Sequence, residues 1–256
     1  MSQSNRNHRK TPQQKIYGVH AVIEALASGK EIERVFLKRT GDNQRIKDLQ
    51  KKLSERSIPY VFVPEAKLIR EAGDKHQGVI AICAVIEYGI IEEVIATTFE
   101  RGENPLILIL DGITDVRNLG GIARTAECMG VHAIVVPESG SAQINSEAIK
   151  ISSGALHNLT VCRTKSIQQT IEYLQSTGVV IVGASEKAET CVHEFDFCRP
   201  TAVVMGSEEN GLSHASIRKV TELLKIPMNG VTSSLNVGVA CGMMLYECMR
   251  QRILAC

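Results

Sequence analysis

The sequence predicts an α/β protein whose larger part is built on a parallel β-sheet. Two observations support this fold class. Continuous apolar runs such as Leu106–Leu110 are typical of strands that are buried on both faces, as in a parallel sheet. These runs alternate with segments of helical periodicity, which is the order that crossover connections between parallel strands require. The length of 256 residues and the 44% apolar content allow one large domain or two smaller ones, each with a core.

The first part of the chain, residues 15–86, predicts a small α/β layer of its own. Its apolar and β-branched runs indicate three strands, and its amphipathic segments indicate three helices. The strands are expected at 35–37, 59–63 and 78–85. Residues 16–26 are expected to form a turn that enters a short amphipathic helix, and further helices are expected at 45–55 and 66–72. Residues 1–14 are polar and basic and are expected to be disordered. Residues 87–104 contain glycines and several glutamates, and we interpret them as a linker.

The second part, residues 105–256, carries the alternation of strands and helices. Apolar runs predict strands at 105–111, 133–136, 159–162, 179–183 and 202–206, with helices at 118–129, 145–153, 166–176 and 213–219. A last helix is expected to continue to Arg252, with Ser233 or Ser234 as its N-cap. Ligands of open parallel sheets bind at the carboxyl ends of the strands, so the loops after these runs are the expected site.

Charge is distributed unevenly along the chain. Residues 1–80 hold 16 Lys or Arg against 9 Asp or Glu, whereas residues 81–256 hold 13 against 19. The basic first part is typical of a unit that faces a polyanion, and a solvated charged surface is the alternative.

Several classes of protein are disfavoured by the sequence. The sequence shows no signal peptide, which would indicate export, and no apolar run of about 18 residues, which would indicate a membrane span. The eight cysteines lack the spacing of a zinc site, and most lie in apolar runs, so we expect reduced, buried thiols, no metal and a cytoplasmic location. The absence of a dinucleotide or Walker A glycine pattern disfavours nicotinamide and ATP enzymes.

Three stretches carry the chemistry. The first, 111–126, has Asn118 at an N-cap-like position, two glycines in a first helical turn, which are costly for a helix, and Arg124 almost two turns further on. It is either a capped helix with a surface arginine or a substrate contact. The second, 203–213, runs from a strand into Gly206 and then Glu208; it is either a ligand-binding loop or an acidic surface turn. The third, 226–240, leads from a proline loop into a helix rich in small residues, where backbone groups can meet a ligand.

Together these stretches resemble the three motifs of the SpoU-type RNA ribose 2′-O-methyltransferases, within the SPOUT class. Residues 16–85 are similar to the L30e-like substrate-binding domain found ahead of some members. The arrangement most resembles the bacterial 23S rRNA guanosine 2′-O-methyltransferase branch. The resemblance implies a catalytic domain with a C-terminal trefoil knot, which periodicity could not have revealed.

The resemblance also implies a cofactor and a set of site residues. S-adenosylmethionine is expected to meet the chain at Gly206, Ile226, Met228 and Leu235. The catalytic positions implied are Asn118, Arg124, Glu208, Ser234 and Asn236. Since a guanidinium has a pKa above about 12, we expect Arg124 to orient the ribose and stabilise negative charge, with Glu208 and Asn236 fixing its position.

The resemblance implies RNA, and in particular 23S rRNA, as the substrate and a homodimer as the assembly. The small residues Gly238 and Gly242 fit either a helix contact between subunits or tight packing within one. Two alternatives remain open: a tRNA or drug-resistance rRNA 2′-O-methyltransferase, and a non-catalytic RNA-binding relative.

Overall fold

The protein is described by a computed structural model that covers residues 15–39, 44–56, 58–232 and 234–254. The chain divides into two compact units, residues 1–87 and 88–256. The expected tail, residues 1–14, and the candidate cap Ser233 lie outside the described residues.

Unit 1 is a four-stranded mixed sheet with helices on both faces. Its elements are β1 (Lys15–Tyr17), α1 (Val19–Ala27), β2 (Ile32–Lys38), α2 (Gln44–Glu55), β3 (Tyr60–Val63), α3 (Glu65–Ala72) and β4 (Val79–Cys83). The strand order is β1-β4-β2-β3, and only β2 and β3 run parallel. The helices α1 and α2 bury Val35, Leu37 and Ala81 on one face, while α3 covers Phe36 and Ile80 on the other. The predicted strands and helices of this layer are present, and β1 is an additional edge strand.

Unit 2 is an eight-stranded sheet in which every neighbouring pair is parallel, as the apolar runs predict. Its elements are β5 (Tyr88–Gly89), α4 (Ile91–Glu100), β6 (Leu106–Asp111), α5 (Val116–Cys128), β7 (Ala133–Pro137), α6 (Ser146–Ile151), β8 (Thr160–Thr164), α7 (Ile167–Ser176), β9 (Val180–Ala184), β10 (Thr190–Cys191), β11 (Thr201–Gly206), α8 (His214–Ile217), β12 (Glu222–Lys225) and α9 (Val237–Leu254).

The order of the strands in this sheet indicates where a ligand would bind; it is β10-β12-β9-β11-β6-β7-β8-β5. The chain moves outward from β6 to β7 and β8, then crosses back to β9, and β11 later enters between β9 and β6. The order therefore reverses next to β6 and β11, and ligands of open sheets bind at such a switch point. Residues Leu106–Leu110 of β6 are at most 1% exposed, which explains their uninterrupted apolar character.

The segment expected as a linker, 87–104, carries structure. It contains β5 and α4, and Ile91 and Ile95 of that helix are buried in the core of unit 2. The glutamates that favoured a linker are accounted for by the helix, since Glu92 and Glu93 lie in its first turn, where acidic side chains are favourable.

The C-terminal helix α9 packs against α5 and is held at its far end by Arg252. The Arg252 guanidinium donates hydrogen bonds to four backbone carbonyls, those of Asn104, Pro105, Phe197 and Arg199, at 2.6–3.1 Å. These carbonyls precede β6 and β11, so α9 is tied to the amino ends of the two central strands. The trefoil knot implied by the resemblance stays a prediction.

Candidate active site

The three motif stretches meet at the carboxyl ends of β6 and β11. Gly206 and Asp111, the last residues of these strands, are partners in register. After Gly206 the chain makes a turn closed by reciprocal backbone hydrogen bonds between Ser207 and Gly211, both at 2.9 Å. The turn is fastened to β6 because the Ser213 N–H donates to Asp111 Oδ2 at 2.9 Å.

Gly206 is required by the turn itself. A Cβ at this position would lie 2.1 Å from the carbonyl carbon of Gly211 and 2.2 Å from the Leu212 nitrogen, closer than atoms can approach. The glycine that is expected to meet the cofactor therefore first makes room for backbone of the same chain. It is buried and also lines a cavity described below.

One polar side chain from each motif joins a hydrogen-bonded triad of Asn118, Glu208 and Asn236. Asn118 Nδ2 donates to Glu208 Oε2 at 3.0 Å. Asn236 Nδ2 donates to Glu208 Oε1 at 3.2 Å and to Asn118 Oδ1 at 3.1 Å. The carboxylate of the second motif thus links the amides of the first and third motifs, which lie far apart in the chain.

The hydrogen-bonding capacity of the two amides is used differently. Asn236 Oδ1 accepts from the backbone N–H groups of Gly238 and Val239 at 3.0 and 3.3 Å, and both of its N–H donors are engaged in the triad. It is therefore saturated, because an amide offers two donors and two lone pairs. Among the described residues, one N–H and one lone pair of Asn118 have no partner, so it is the amide of the pair that can contact a substrate.

The helix caps differ from the sequence predictions. The residue that caps α9 is Asn236 rather than Ser234, and the helix begins at Val237, further along than expected. The N-cap of α5 is Asp115, whose Oδ1 accepts from the Arg117 N–H at 2.6 Å, and Asn118 lies within the first turn. The Arg117 guanidinium, which donates to Asp115 Oδ2 at 3.1 Å, lowers the pKa of the Asp115 carboxyl, and the backbone N–H of Arg117 adds to this effect. Asp115 leaves Asn118 free to face the second motif.

Arg124 is not held in the way that the sequence analysis expects. It lies on the exposed side of α5, and no hydrogen bond or ion pair among the described residues involves its side chain. Glu208 and Asn236 hold Asn118 instead. The physical reason is helical geometry, since residues six positions apart on a helix point about 120° away from each other.

A first cavity, of about 330 Å³, lies beyond the ends of β9, β11 and β12. We call it the β9 cavity. All four residues expected to meet a cofactor line it, namely Gly206, Ile226, Met228 and Leu235, and so do Glu208 and Ser234. Its wall combines apolar side chains with the polar backbone of the 207–211 turn, and its size is that of a small-molecule site.

A second cavity, of about 610 Å³, lies beyond the end of β6. We call it the β6 cavity. Asn118 and the 112–115 loop line it, and it shares residues 207–211 and Val237 with the β9 cavity. Glu208 borders both cavities, so the triad stands at the wall between them.

One part of the site is not predicted by the sequence motifs. Residues Ala184–Lys187, which follow β9, also line the β9 cavity. Their position after a buried strand of a parallel sheet was a usable signal, because the carboxyl ends of all such strands lie on the same edge.

Two further expectations concern metal and membrane. Within the described ranges, no group of three or more His, Cys, Asp or Glu side chains could hold a metal ion. Among the helices that the structure describes, none has the length and apolar character to cross a membrane.

These features define a class: an α/β protein with a parallel sheet whose switch point carries a small-molecule cavity next to a hydrogen-bonded polar cluster. The chain belongs to the SpoU rRNA methylase family, whose model matches residues 105–246. A second model, for RNA 2′-O ribose methyltransferase substrate binding, matches residues 15–89.

Individual proteins agree with this assignment. The chain is 35% identical over 93% of its length to the 23S rRNA (guanosine-2′-O-)-methyltransferase RlmB of Coxiella burnetii, of which 95% is covered. The RlmB of Haemophilus influenzae is also 35% identical, with 94% of this chain and 98% of that protein covered. The SpoU methyltransferase AviRb of Streptomyces viridochromogenes, solved in complex with AdoMet, superposes with a TM-score of 0.61 at 25% identity over 98% of this chain and 95% of that one.

Proposed function

We propose that the protein transfers a methyl group from S-adenosylmethionine to a ribose 2′-hydroxyl of RNA, with a guanosine of 23S rRNA as the substrate. The observation that carries this proposal is the triad of Asn118, Glu208 and Asn236 standing between two cavities. The RlmB relatives align with almost the whole chain, and their names support the choice of rRNA and guanosine.

The residues of the β9 cavity fit the cofactor. Ile226, Leu235 and Leu224 offer apolar surface for a flat purine, and the backbone of the 207–211 turn offers hydrogen bonds to its edge. The cofactor, when bound, supplies an electrophilic methyl group on a sulfonium. The AdoMet held by the solved SpoU neighbour supports this assignment.

Asn118 is the residue that we propose contacts the ribose. Its free N–H and lone pair adjoin the β6 cavity, where they can orient a hydroxyl through donation and acceptance. Glu208 fixes the Asn118 amide, and Asn236 fixes both while capping α9. Holding a nucleophile in the geometry of attack is one of the larger contributions that a binding site makes to rate.

Arg124 and Ser234 complete the proposed site with different roles. Arg124 has an exposed guanidinium that pairs with none of the described residues, and we propose that it contacts the RNA and stabilises negative charge that develops on the ribose oxygen. Ser234 lies on the wall of the β9 cavity, where its hydroxyl can bind the cofactor.

Unit 1 is the proposed RNA-binding module. It matches the substrate-binding model, and the basic surplus of residues 1–80 suits a polyanion. A tRNA substrate is the second candidate, since a 34% identical protein of Bacillus subtilis, YacO, is assigned to the TrmH family of tRNA/rRNA methyltransferases. A non-catalytic relative is disfavoured because the triad and the cavity are both intact. The rRNA substrate and the free thiols also favour a cytoplasmic location.

We also propose a homodimer, formed through α9. Gly238 and Gly242 face α5 of the same chain: a Cβ on Gly242 would lie 3.6 Å from Thr125 Cγ2, and one on Gly238 would lie 4.0 Å from Ile122 Cγ1. These two glycines therefore serve packing within the subunit. Another side of α9 exposes Val239, Met243 and Tyr246 by 53%, 45% and 54%, and such a stripe is typical of a protein interface.

The experiment is to incubate the protein with ribosomal RNA and labelled S-adenosylmethionine and to map the methylated nucleotide. We expect label on one ribose 2′-oxygen of a 23S rRNA guanosine. A parallel reaction with tRNA in place of ribosomal RNA serves as the comparison, and we expect no label there. Label on tRNA alone would move the proposal to the second candidate. Absence of label in both, from protein that binds the cofactor, would favour the non-catalytic relative.

A further inference from the structure

The loop that follows β9 brings charged side chains to the β9 cavity. Its residues Glu186 and Lys187 are exposed and line the cavity together with Ala184 and Ser185. The loop is fixed by three hydrogen bonds. The Ser185 N–H donates to the Leu224 carbonyl at 3.0 Å, the Lys187 N–H donates to Ser185 Oγ at 3.2 Å, and the Ala188 N–H donates to the Ser185 carbonyl at 3.2 Å. The backbone that carries Lys187 is therefore tied to β12.

Lys187 differs in charge from every other ionisable residue of this wall. The described lining residues include three carboxylates, Glu186, Glu208 and Glu209, and one cation, Lys187. Its ammonium forms no hydrogen bond or ion pair with the described residues. Lys15, Lys38 and Lys219, by contrast, each pair with a glutamate.

The charges of S-adenosylmethionine complement this wall. The cofactor carries a sulfonium, an ammonium and one carboxylate, so its net charge is positive and its carboxylate is its single anionic group. The surplus of carboxylates suits the two positive groups. The carboxylate, in turn, would be repelled by the glutamates unless a cation meets it.

We propose that the Lys187 ammonium binds the carboxylate of the amino-acid end of the cofactor and thereby positions the cofactor in the β9 cavity. This inference rests on the proposed function, because it takes S-adenosylmethionine as the ligand. Lys187 is a positioning residue that acts at the end of the cofactor remote from the adenine.

The test compares two ligands by calorimetry. S-adenosylhomocysteine contains the amino-acid end, whereas 5′-methylthioadenosine has the same adenosine thioether without it. For Lys187→Met we expect the Kd of S-adenosylhomocysteine to rise roughly three- to tenfold, as for a partly exposed charge-assisted contact, and the Kd of 5′-methylthioadenosine to stay unchanged. Lys187→Arg should retain most of the affinity, because it retains the charge.

Lys165→Met is the matched control, since Lys165 is an exposed lysine of the same unit that does not line the cavity. Unchanged affinity of Lys187→Met for both ligands would overturn the inference. An equal loss for both ligands would also overturn it, since that would indicate a damaged loop. If the wild-type protein bound neither ligand, the cofactor assignment itself would fail, which is a distinguishable result.

Discussion

Asn236 donates a hydrogen bond from Nδ2 to Oδ1 of Asn118 at 3.1 Å, although 118 positions separate the two residues. Asn236 also caps α9, so the helix start and the candidate substrate contact are fixed by one side chain. A change at Asn236 should therefore affect stability and activity together.

Asn236→Asp tests this coupling. The aspartate can still accept from the α9 backbone, but it loses both donors and places a second carboxylate about 3.2 Å from Glu208 Oε1. Repulsion raises the pKa of the carboxylate pair in this variant. The loss of stability should therefore be present at pH 8 and should become smaller as the pH falls and one carboxyl is protonated.

We expect a loss of roughly 1–3 kcal/mol at pH 8, measured by denaturant unfolding, with partial recovery near pH 5. Asn210→Asp is the control, because it adds the same charge to the 207–211 turn without touching the triad. A loss that does not depend on pH would contradict the proposed repulsion.

Arg124→Lys separates charge from geometry. The variant keeps a positive charge and loses the planar fork that can meet a phosphate or a ribose oxygen at two points. We expect single-turnover methylation to slow by about tenfold or more, with cofactor affinity unchanged because Arg124 does not line the β9 cavity. Arg117→Lys, at another exposed position of α5, serves as control. A single-turnover rate equal to that of the wild type would remove Arg124 from the mechanism.

Tyr246→Glu tests the proposed dimer face. Replacing the tyrosine ring by a carboxylate removes apolar contact area and places a charge where the interface excludes water, so sedimentation at micromolar concentration should shift from dimer to monomer. Phe99→Glu, at a residue of α4 that is 39% exposed, introduces the same charge outside the stripe and should leave the assembly unchanged. A wild-type protein that sediments as a monomer would contradict the dimer proposal directly.

Replacing the adjacent glycines of α5, Gly120 and Gly121, by alanine should change the stability of the protein in opposite directions. A Cβ on Gly120 would lie 2.7 Å from Cβ and Cγ2 of Ile151 in α6, so Gly120→Ala should destabilise the protein by roughly 1–3 kcal/mol. A Cβ on Gly121 would have no atom of the described residues outside its own helix within 4 Å, so Gly121→Ala should stabilise the protein by up to about 1 kcal/mol through helix propensity. Thermal unfolding of both variants checks this prediction. An equal change of Tm in the same direction for Gly120→Ala and Gly121→Ala would show that the contact between α5 and α6 does not determine their stabilities.

Three buried thiols predict a pH dependence of stability. Burial raises the pKa of Cys162, Cys241 and Cys248 to about 12, against 9.0 for an ordinary thiol. A raised folded-state pKa means that the stabilisation is complete below the unfolded value and is lost as pH rises, here between about 9 and about 12. Denaturant unfolding across this range should show falling stability.

Thiol labelling offers an independent measurement. At pH 8 the exposed Cys128 should react rapidly, while Cys162, Cys241 and Cys248 should react only when the protein unfolds. Peptide mapping by mass spectrometry identifies the labelled sites. Native-state labelling of Cys241 at the rate of Cys128 would contradict the burial on which this prediction depends.

The local pattern of the sequence was sufficient for most secondary structure. The apolar run of β6 and the helical spacing of Ile46, Leu49 and Leu53 report burial and period directly, so the strands and helices that they predict are present. The sequence does not predict the strands β5, β10 and β12, because segments of two to four residues contain too little periodicity. The glycines and glutamates of residues 87–104 predict a linker, but Ile91 and Ile95 of α4 are buried in the core of unit 2.

The sequence by itself determined the family, because its three long motifs follow one another in the family's order and spacing. Only the tertiary structure decided which motif residues touch. Glu208 accepts hydrogen bonds from Asn118 and Asn236, whereas Arg124 pairs with none of the described residues. The structure also shows that Lys187, which lies outside the three motifs, lines the β9 cavity. The reason is that local propensity acts over a few residues, whereas these contacts depend on the register of strands from distant parts of the chain, which packing of the whole sheet fixes.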